Sequence, residues 1–261
     1  MENLVFDPLY YEMIDRHYWD FRAKDYNESA SNRLEPLAEK QAMMAEFEAK
    51  GMLSKTSRVL DLGCGPGLFT KELAKHADSV VALDISEEML KYAKANNAEA
   101  NNVTFAHQDW TKEEAVFYEN EFDFVFANMA PAIYNEETLL KMISACKRGG
   151  YCYYSHFATR YCNITERIDN LFGITREFNR IQLMFDTLWK WGYFPSVSYV
   201  DKGGKGWISL EDALVYYQKE YDFPDSDLPK VREALLEITE NGQIERITTF
   251  KKGILIWQKT F

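Results

Sequence analysis

The stretch Val59-Leu60-Asp61-Leu62-Gly63-Cys64-Gly65-Pro66-Gly67 decides how this chain is read. An apolar run of strand length stops at a glycine-dense turn, and residues 68–76 continue as a helix. A strand that ends in such a turn and feeds a helix opens an α/β unit. Glycine has no Cβ and tolerates positive φ, so this turn lets the backbone approach a ligand closely. The acid Asp61, last but one in the strand, sharpens the signal, because many loops are merely glycine-rich.

On both sides of this turn the chain alternates regularly. Residues 79–84, 103–106, 122–127 and 151–157 read as further strands. Residues 86–95 and 136–147 read as helices. Ser86 precedes two glutamates and Asn135 precedes Glu136-Glu137, a cap followed by negative charge at the positive end of the helix dipole. Strands alternating with helices imply a parallel sheet covered on both faces.

Upstream, residues 1–30 are expected to form a helix of about two to four turns and a loop. A second helix over 33–50 ends at Gly51 as a C′ glycine. Downstream, Ile181, Met184, Phe185 and Leu188 mark a helical face ending near Gly192, and 196–200 reads as a strand. Ser209 with Asp212 resembles a capping box opening a helix to about Tyr221. Val231, Ala234, Leu235 and Ile238 give another helical face, and 244–258 a last strand, bent near Lys252-Gly253.

The expected fold is a doubly wound, mostly parallel seven-stranded α/β sheet, Rossmann-like, whose last strand is antiparallel. N-terminal helices (1–52) precede a core over 53–160. A helical insertion at about 202–243 separates the last two strands within 161–261. The whole is read as one domain.

Composition narrows the function. Of 261 residues, 46% are hydrophobic and 15% aromatic, enough for a sizeable core. The net charge of −11 argues against nucleic acid and anionic membranes, since phosphate binding rests on Lys and Arg. Lys251-Lys252 reads as a solvated strand end. The four cysteines (Cys64, Cys146, Cys152, Cys162) form no CxxC pair and have no histidine at zinc-ligand spacing, so no metal is expected and the thiols read as reduced. Without a signal peptide or a membrane-length apolar run, the chain reads as cytoplasmic.

Two ligand classes fit a glycine turn after a strand. A dinucleotide fingerprint needs glycines at its first, third and sixth positions. Here Gly63 and Gly65 fill two, Leu68 stands at the sixth, and Gly67 adds a glycine elsewhere. The spacing acid-x-Gly-x-Gly-x-Gly instead resembles class I S-adenosylmethionine-dependent methyltransferases. Asp84, 21 residues after Gly63, and Gln108-Asp109-Trp110 after the third strand fit the same resemblance, which covers residues 19–157 best. An acid at 84 alone does not discriminate, since dinucleotide enzymes place one similarly.

The resemblance implies S-adenosylmethionine as cofactor and S-adenosylhomocysteine as product. The loop of Gly63, Cys64, Gly65 and Gly67 would wrap the methionine half of the cofactor. Asp61 would serve the ammonium and Asp84 the ribose hydroxyls. Asp109 would bond the adenine amino group, with Trp110, Ile85 and Met89 against the ring. After the fourth strand, Asn128-Met129-Ala130-Pro131 departs from the Asn-Pro-Pro-aromatic run of amino methyltransferases, so Asn128 and Met129 are read as lining cofactor and substrate. Trp19-Asp20-Phe21-Arg22-Ala23-Lys24-Asp25-Tyr26 is similar to the start of ubiquinone/menaquinone-type small-molecule methyltransferases, whose tyrosine folds over the cofactor as a lid.

Methyl transfer from a sulfonium needs alignment and dryness more than a diagnostic catalytic residue. The acceptor-side candidates are accordingly Tyr26, Asn128, Tyr134 and His156, with a small-molecule acceptor and a homodimer as an open option. His17 reads more readily as structural. Gly203-Gly204-Lys205-Gly206 lacks the Walker spacing and reads as a flexible turn. A non-catalytic cofactor-binding sensor and a dinucleotide oxidoreductase stay as competing readings.

Overall fold

In the computed structural model, residues 15–29, 36–112 and 118–260 are described. Expectations for 1–14 and for 30–35 lie outside them. The chain falls into two compact units. One holds the described residues up to His156, Arg180–Ser198 and the stretch from Ile254; the other holds Phe157–Asn179 and Tyr199–Gly253.

The elements are α1 (Arg16–Ser29), α2 (Leu37–Ala49), β1 (Arg58–Leu62), α3 (Leu68–His76), β2 (Ser79–Asp84) and α4 (Glu87–Asn96). Then come β3 (Val103–His107), β4 (Phe122–Asn128), α5 (Glu136–Ala145), β5 (Cys146–Cys162), α6 (Asn163–Phe172) and α7 (Arg180–Lys190). The rest are β6 (Ser196–Ser209), α8 (Leu210–Tyr221), a 3-10 turn (Asp225–Asp227), α9 (Leu228–Leu236), β7 (Thr239–Glu240) and β8 (Gln243–Gln258).

The sheet order is β3-β2-β1-β4-β5-β8-β6, with the short β7 pairing β8. The pairs β1–β2, β1–β4, β2–β3 and β4–β5 are parallel, and the last strand is antiparallel, as expected. Both sheet faces are covered, which is why β4 can read Phe-Asp-Phe-Val-Phe-Ala with hardly a polar break. Phe47 of α2 packs edge-on against Phe124 and Tyr153 at 5.1 and 5.4 Å between ring centres. At the end of α2, Met52 N–H donates to Phe47 O and Gly51 N–H to Glu48 O, the Schellman closure that Gly51 signals.

Parallel register has a functional consequence. Leu62 lies opposite Leu83, Asp84 opposite His107, and Asn128 opposite Ser155. The strand ends carrying Asp61, Asp84 and Asn128 therefore share one edge of the sheet, where open α/β sheets bind ligands.

The unit of Phe157–Asn179 and Tyr199–Gly253 has its own apolar cluster. Ile164 and Ile168 of α6 meet Ala213 and Tyr217 of α8, Val231 and Leu235 of α9, and Ile244. Ser209 caps α8 by accepting from Asp212 N–H, as its spacing predicts.

Several expectations need correction. The helix over 136–147 ends at Ala145, because Cys146 pairs with Phe122 and the backbone turns extended there. The strand over 151–157 is the middle of a longer one, Cys146–Cys162. Gly203-Gly204-Lys205-Gly206 is no flexible turn but lies inside β6. Ion pairs Asp201–Lys251 and Lys205–Glu245 tie that strand to β8, and such cross-strand pairing overrides the poor strand propensity of glycine. The insertion's helices consequently start at Leu210 and end at Leu236 rather than filling 202–243. Helix α6 and the β7–β8 hairpin were not expected. The hairpin's signal was present in Asn241-Gly242, whose φ values of 51° and 77° suit a type I′ turn.

Candidate functional site

The turn after β1 is built for tight packing below and access above. Gly67 has φ 74°, and a Cβ there would stand 2.6 Å from Asn97 Nδ2 and 3.0 Å from Ala93. Asn97 Nδ2 also donates to Gly67 O at 2.9 Å, fixing the start of α3 against the end of α4. A Cβ on Gly63, whose φ is 67°, would meet Ala130 Cβ at 2.9 Å. This glycine thereby lets the loop after β4 close in on the turn. At Gly65 the nearest atom to such a Cβ is Tyr26 Cε1, at 3.9 Å. The expected lid tyrosine thus lies beside the middle of the turn.

Helix α1 is held there by named contacts. Asp20 Oδ1 accepts from Ser86 Oγ at 2.7 Å and from Glu88 N–H at 3.2 Å, adding a carboxylate to the N-terminus of α4. At the far end of α4, Asn96 Nδ2 donates to Asn27 Oδ1 and to Pro66 O, at 2.9 and 2.8 Å. One amide therefore links α1 to the glycine turn. Trp19 packs edge-on to Tyr26 at 5.9 Å.

Two carboxylates lie buried under this turn. Asp61 Oδ2 accepts from Thr70 Oγ1 at 2.6 Å. Burial pushes its pKa from 3.8 to about 7, with the Thr70 hydrogen bond opposing and the charge of Asp84 adding. Asp84 accepts from Gly65 N–H at 2.7 Å and Ser86 N–H at 2.9 Å. Burial raises it to about 6; the two backbone donors and His107 oppose, and the charge of Asp20 adds. Among the described residues neither carboxylate has a cation within ion-pair distance. Negative charge is held here at a cost, which a bound cation or a set of hydroxyl donors would relieve.

The remaining expected cofactor residues divide. Ile85 is half-buried beside Asp84, and its carbonyl is 2.7 Å from His107 Nε2. Met89 is fully buried, and its N–H is taken by the Ser86 cap. The Cys64 side chain packs with Ala82 and Leu90 below the turn, and its N–H donates to Leu83 O, so only the peptide path of this residue shapes the loop. Asp109 accepts from Thr111 N–H and Oγ1 at 2.9 and 2.6 Å, a local turn of its own. Trp110 is buried and donates its indole N–H to Thr138 O at 3.2 Å, anchoring the loop to α5.

Asn128 ends β4, and Tyr134 follows in the loop before α5. Asn128 Oδ1 accepts from Ser155 Oγ at 2.9 Å and Tyr153 OH at 3.4 Å. Met129 follows with φ 55°, a left-handed conformation that costs a non-glycine residue roughly 1–2 kcal/mol. Its N–H donates to Ser155 O and Oγ, at 3.0 and 3.2 Å. Strain of this kind persists where surrounding structure over-determines the backbone. Tyr134 N–H is anchored on Thr138 Oγ1 of the α5 cap.

His156 is buried, with Nε2 2.9 Å from Arg180 Nη1. A guanidinium only donates, so this nitrogen accepts and the imidazole carries its proton on Nδ1. The expected base therefore has one nitrogen occupied. Arg180, itself buried at the start of α7, was missed: nothing in the local pattern separates it from an ordinary helix-end arginine. Burial also pushes the neighbouring Tyr154 hydroxyl up, Arg180 partly opposing. That hydroxyl donates to Ile133 O. His17 opens α1, where its N–H bonds Asp15. Among the described residues no cluster of histidine, cysteine and carboxylate side chains is arranged to hold a metal ion, and no helix is long and apolar enough to cross a membrane.

Residues 53–187 match the family model described as "Methyltransferase domain". Phosphoethanolamine N-methyltransferase 1 of Triticum aestivum is 30% identical over 148 residues, covering 54% of this chain and 29% of that protein. The ubiquinone biosynthesis O-methyltransferase of Escherichia coli O6:H1 is 29% identical over 115 residues, 44% of this chain and 45% of that one. The chain thus spans less than a third of the plant enzyme it resembles. Among solved structures, phosphoethanolamine N-methyltransferase 2 of Haemonchus contortus superposes with a TM-score of 0.60 at 17% identity, over 97% of this chain and 60% of that one. Geranyl diphosphate C-methyltransferase of Streptomyces coelicolor gives 0.53 at 14%, over 97% and 98%. The likeness to these two is one of fold. The model match, which spans the glycine turn, both buried carboxylates and most of α7, places the chain in the methyltransferase domain family.

Proposed function

We propose that the chain transfers a methyl group from S-adenosylmethionine to a small-molecule acceptor. The observation that carries the reading is the pair of buried carboxylates, Asp61 and Asp84, held beneath a glycine turn with no cation on either among the described residues. The cofactor's ammonium would supply the countercharge Asp61 lacks. The ribose hydroxyls would donate to Asp84, two donors for two oxygens. A dinucleotide's ribose would serve Asp84 equally, so Asp61 carries the distinction: a pyrophosphate brings it no cation and adds negative charge. Gly63, Gly65 and Gly67 would carry the methionine half along the turn, and Asp109, Ile85 and Met89 would serve the adenine.

When bound, this cofactor supplies an electrophilic methyl on a sulfonium whose departure leaves a neutral thioether. The chain's own residues orient and exclude water. Tyr26, fixed by Asp20–Ser86 and Asn27–Asn96, covers the turn, and its ring face suits a sulfonium. Asn128 and Tyr134 would position the acceptor. His156, with Nε2 held by Arg180, would line the acceptor side rather than act as a free base. Alignment of this kind can remove roughly 7–11 kcal/mol of barrier without a proton-transfer residue.

Calorimetry with S-adenosylhomocysteine and with NAD tests the cofactor half: the reading requires the first to bind and fails if only NAD does. Turnover with phosphoethanolamine, the substrate in the names of the plant relatives, and with a panel of small amines and hydroxy compounds tests the acceptor half. Cofactor binding without methyl transfer to any acceptor would make the protein a sensor instead.

A further inference from the structure

Among the described residues strand β6 ends the sheet order, bonded on one side to β8. Two large aromatics stand exposed on it, Tyr199 at 53% and Trp207 at 59%. Between them Asp201 and Lys205 pair with Lys251 and Glu245 of β8, yet their side chains remain 77% and 65% exposed. A long edge strand carrying exposed aromatics is a template for another strand.

We propose that β6 pairs antiparallel with β6 of a second copy of this chain, centred on Gly203. A two-fold axis normal to a sheet leaves each side chain on its own face. Residues directly opposite share a face too, so i and its partner j have the same parity. Only registers with an even sum i + j are open. In the register centred on Gly203, Tyr199 lies opposite Trp207 and Asp201 opposite Lys205, each pair occurring twice.

The neighbouring registers lose this match. Centred on Lys202, Tyr199 faces Lys205 and Asp201 faces Gly203, so both the aromatic and the charge matches are lost. Centred on Gly204, Asp201 faces Trp207. In the favoured register one charged row crosses four strands with alternating sign. It runs from Glu245 to Lys205, then to Asp201 and Lys251 of the second copy. The strand is thus complementary to itself in charge and in aromatic contact, which argues for a copy of this chain over an unrelated partner. The pairing does not depend on the catalytic reading.

Sedimentation equilibrium on the full chain tests it, with melting temperature as a check on folding. The wild type is expected to dimerise. Lys205→Asp alone places Asp201 against an acid, and Asp201→Lys alone places a lysine against Lys205. Each should raise the dimer dissociation constant at least about tenfold, since two cross-strand pairs are reversed. Mixed one to one, the two variants restore opposite charges at both positions of the seam, leaving only the within-chain pairs to Glu245 and Lys251 reversed, and should form a heterodimer tighter than either variant's own dimer. A wild type that stays monomeric overturns the proposal, including one that takes up an unrelated extended peptide along β6. So does a dimer indifferent to both reversals, or a mixture that stays monomeric.

Discussion

Buried carboxylates are treated in opposite ways in the two units. In the unit of Phe157–Asn179 and Tyr199–Gly253, Asp169 is gripped by Arg176 through both oxygens, one contact measuring 2.8 Å, and accepts from Tyr221 OH at 2.6 Å. In the other, Asp61 has a threonine hydroxyl and Asp84 two backbone N–H groups, with no cation on either among the described residues. The first arrangement is complete and serves the fold. The second is incomplete, and its raised pKa values make it the place where the proposed cofactor would supply the missing partners.

The largest effects should separate the two. Asp169→Asn leaves Arg176 without its partner and should cost about 3 kcal/mol in chemical denaturation, as breaking a buried pair does. Cofactor affinity measured on the folded fraction should not change. Asp61→Asn should do the reverse. It keeps an acceptor for Thr70 and removes an uncompensated charge, so the ligand-free chain should melt higher. Calorimetry should show S-adenosylhomocysteine binding weakened by about a hundredfold, the scale of a lost buried charge contact. If both substitutions merely destabilise, the contrast fails.

Intermediate in size is Gly67→Ala. Its Cβ collides with Asn97 and Ala93 in a left-handed backbone, so about 2 kcal/mol of stability should go. Smallest is Met129. With φ 55°, Met129→Gly should be more stable than Met129→Ala by about 1 kcal/mol in denaturant melts. Equal stabilities would show that the strain is not stored there.

The same contrast governs what could be read beforehand. Strands β1 to β4 and helices α3 and α4 were legible because local pattern, caps and turn chemistry agree, down to the Ser86 cap. The carboxylates at 61 and 84 were legible as strand-end acids through the acid-x-Gly-x-Gly-x-Gly resemblance, and parallel register puts both strand ends on one side of the sheet. Arg180 was not, since its pairing with His156 joins residues far apart in sequence. The fate of 203–206 was not, since Lys251 and Glu245 hold that segment as strand from another part of the chain. Trp110 was placed in the right loop, yet its burial against Thr138 is a packing matter that spacing cannot reveal.

The pH dependence of S-adenosylhomocysteine binding tests the central claim most directly. Folding raises both carboxyls above 3.8, so folding alone favours their protonated forms. That stabilisation is complete below about pH 4 and is lost as pH rises through about 6 to 7. A ligand that brings an ammonium to Asp61 and hydroxyls to Asp84 binds the ionised forms. Its dissociation constant should be level above about pH 7.5 and rise about tenfold per pH unit between 7 and 6, more steeply below. In Asp61→Asn the inflection near 7 should disappear. Affinity that stays flat from pH 5 to 8, or an unchanged profile in the variant, would contradict the account.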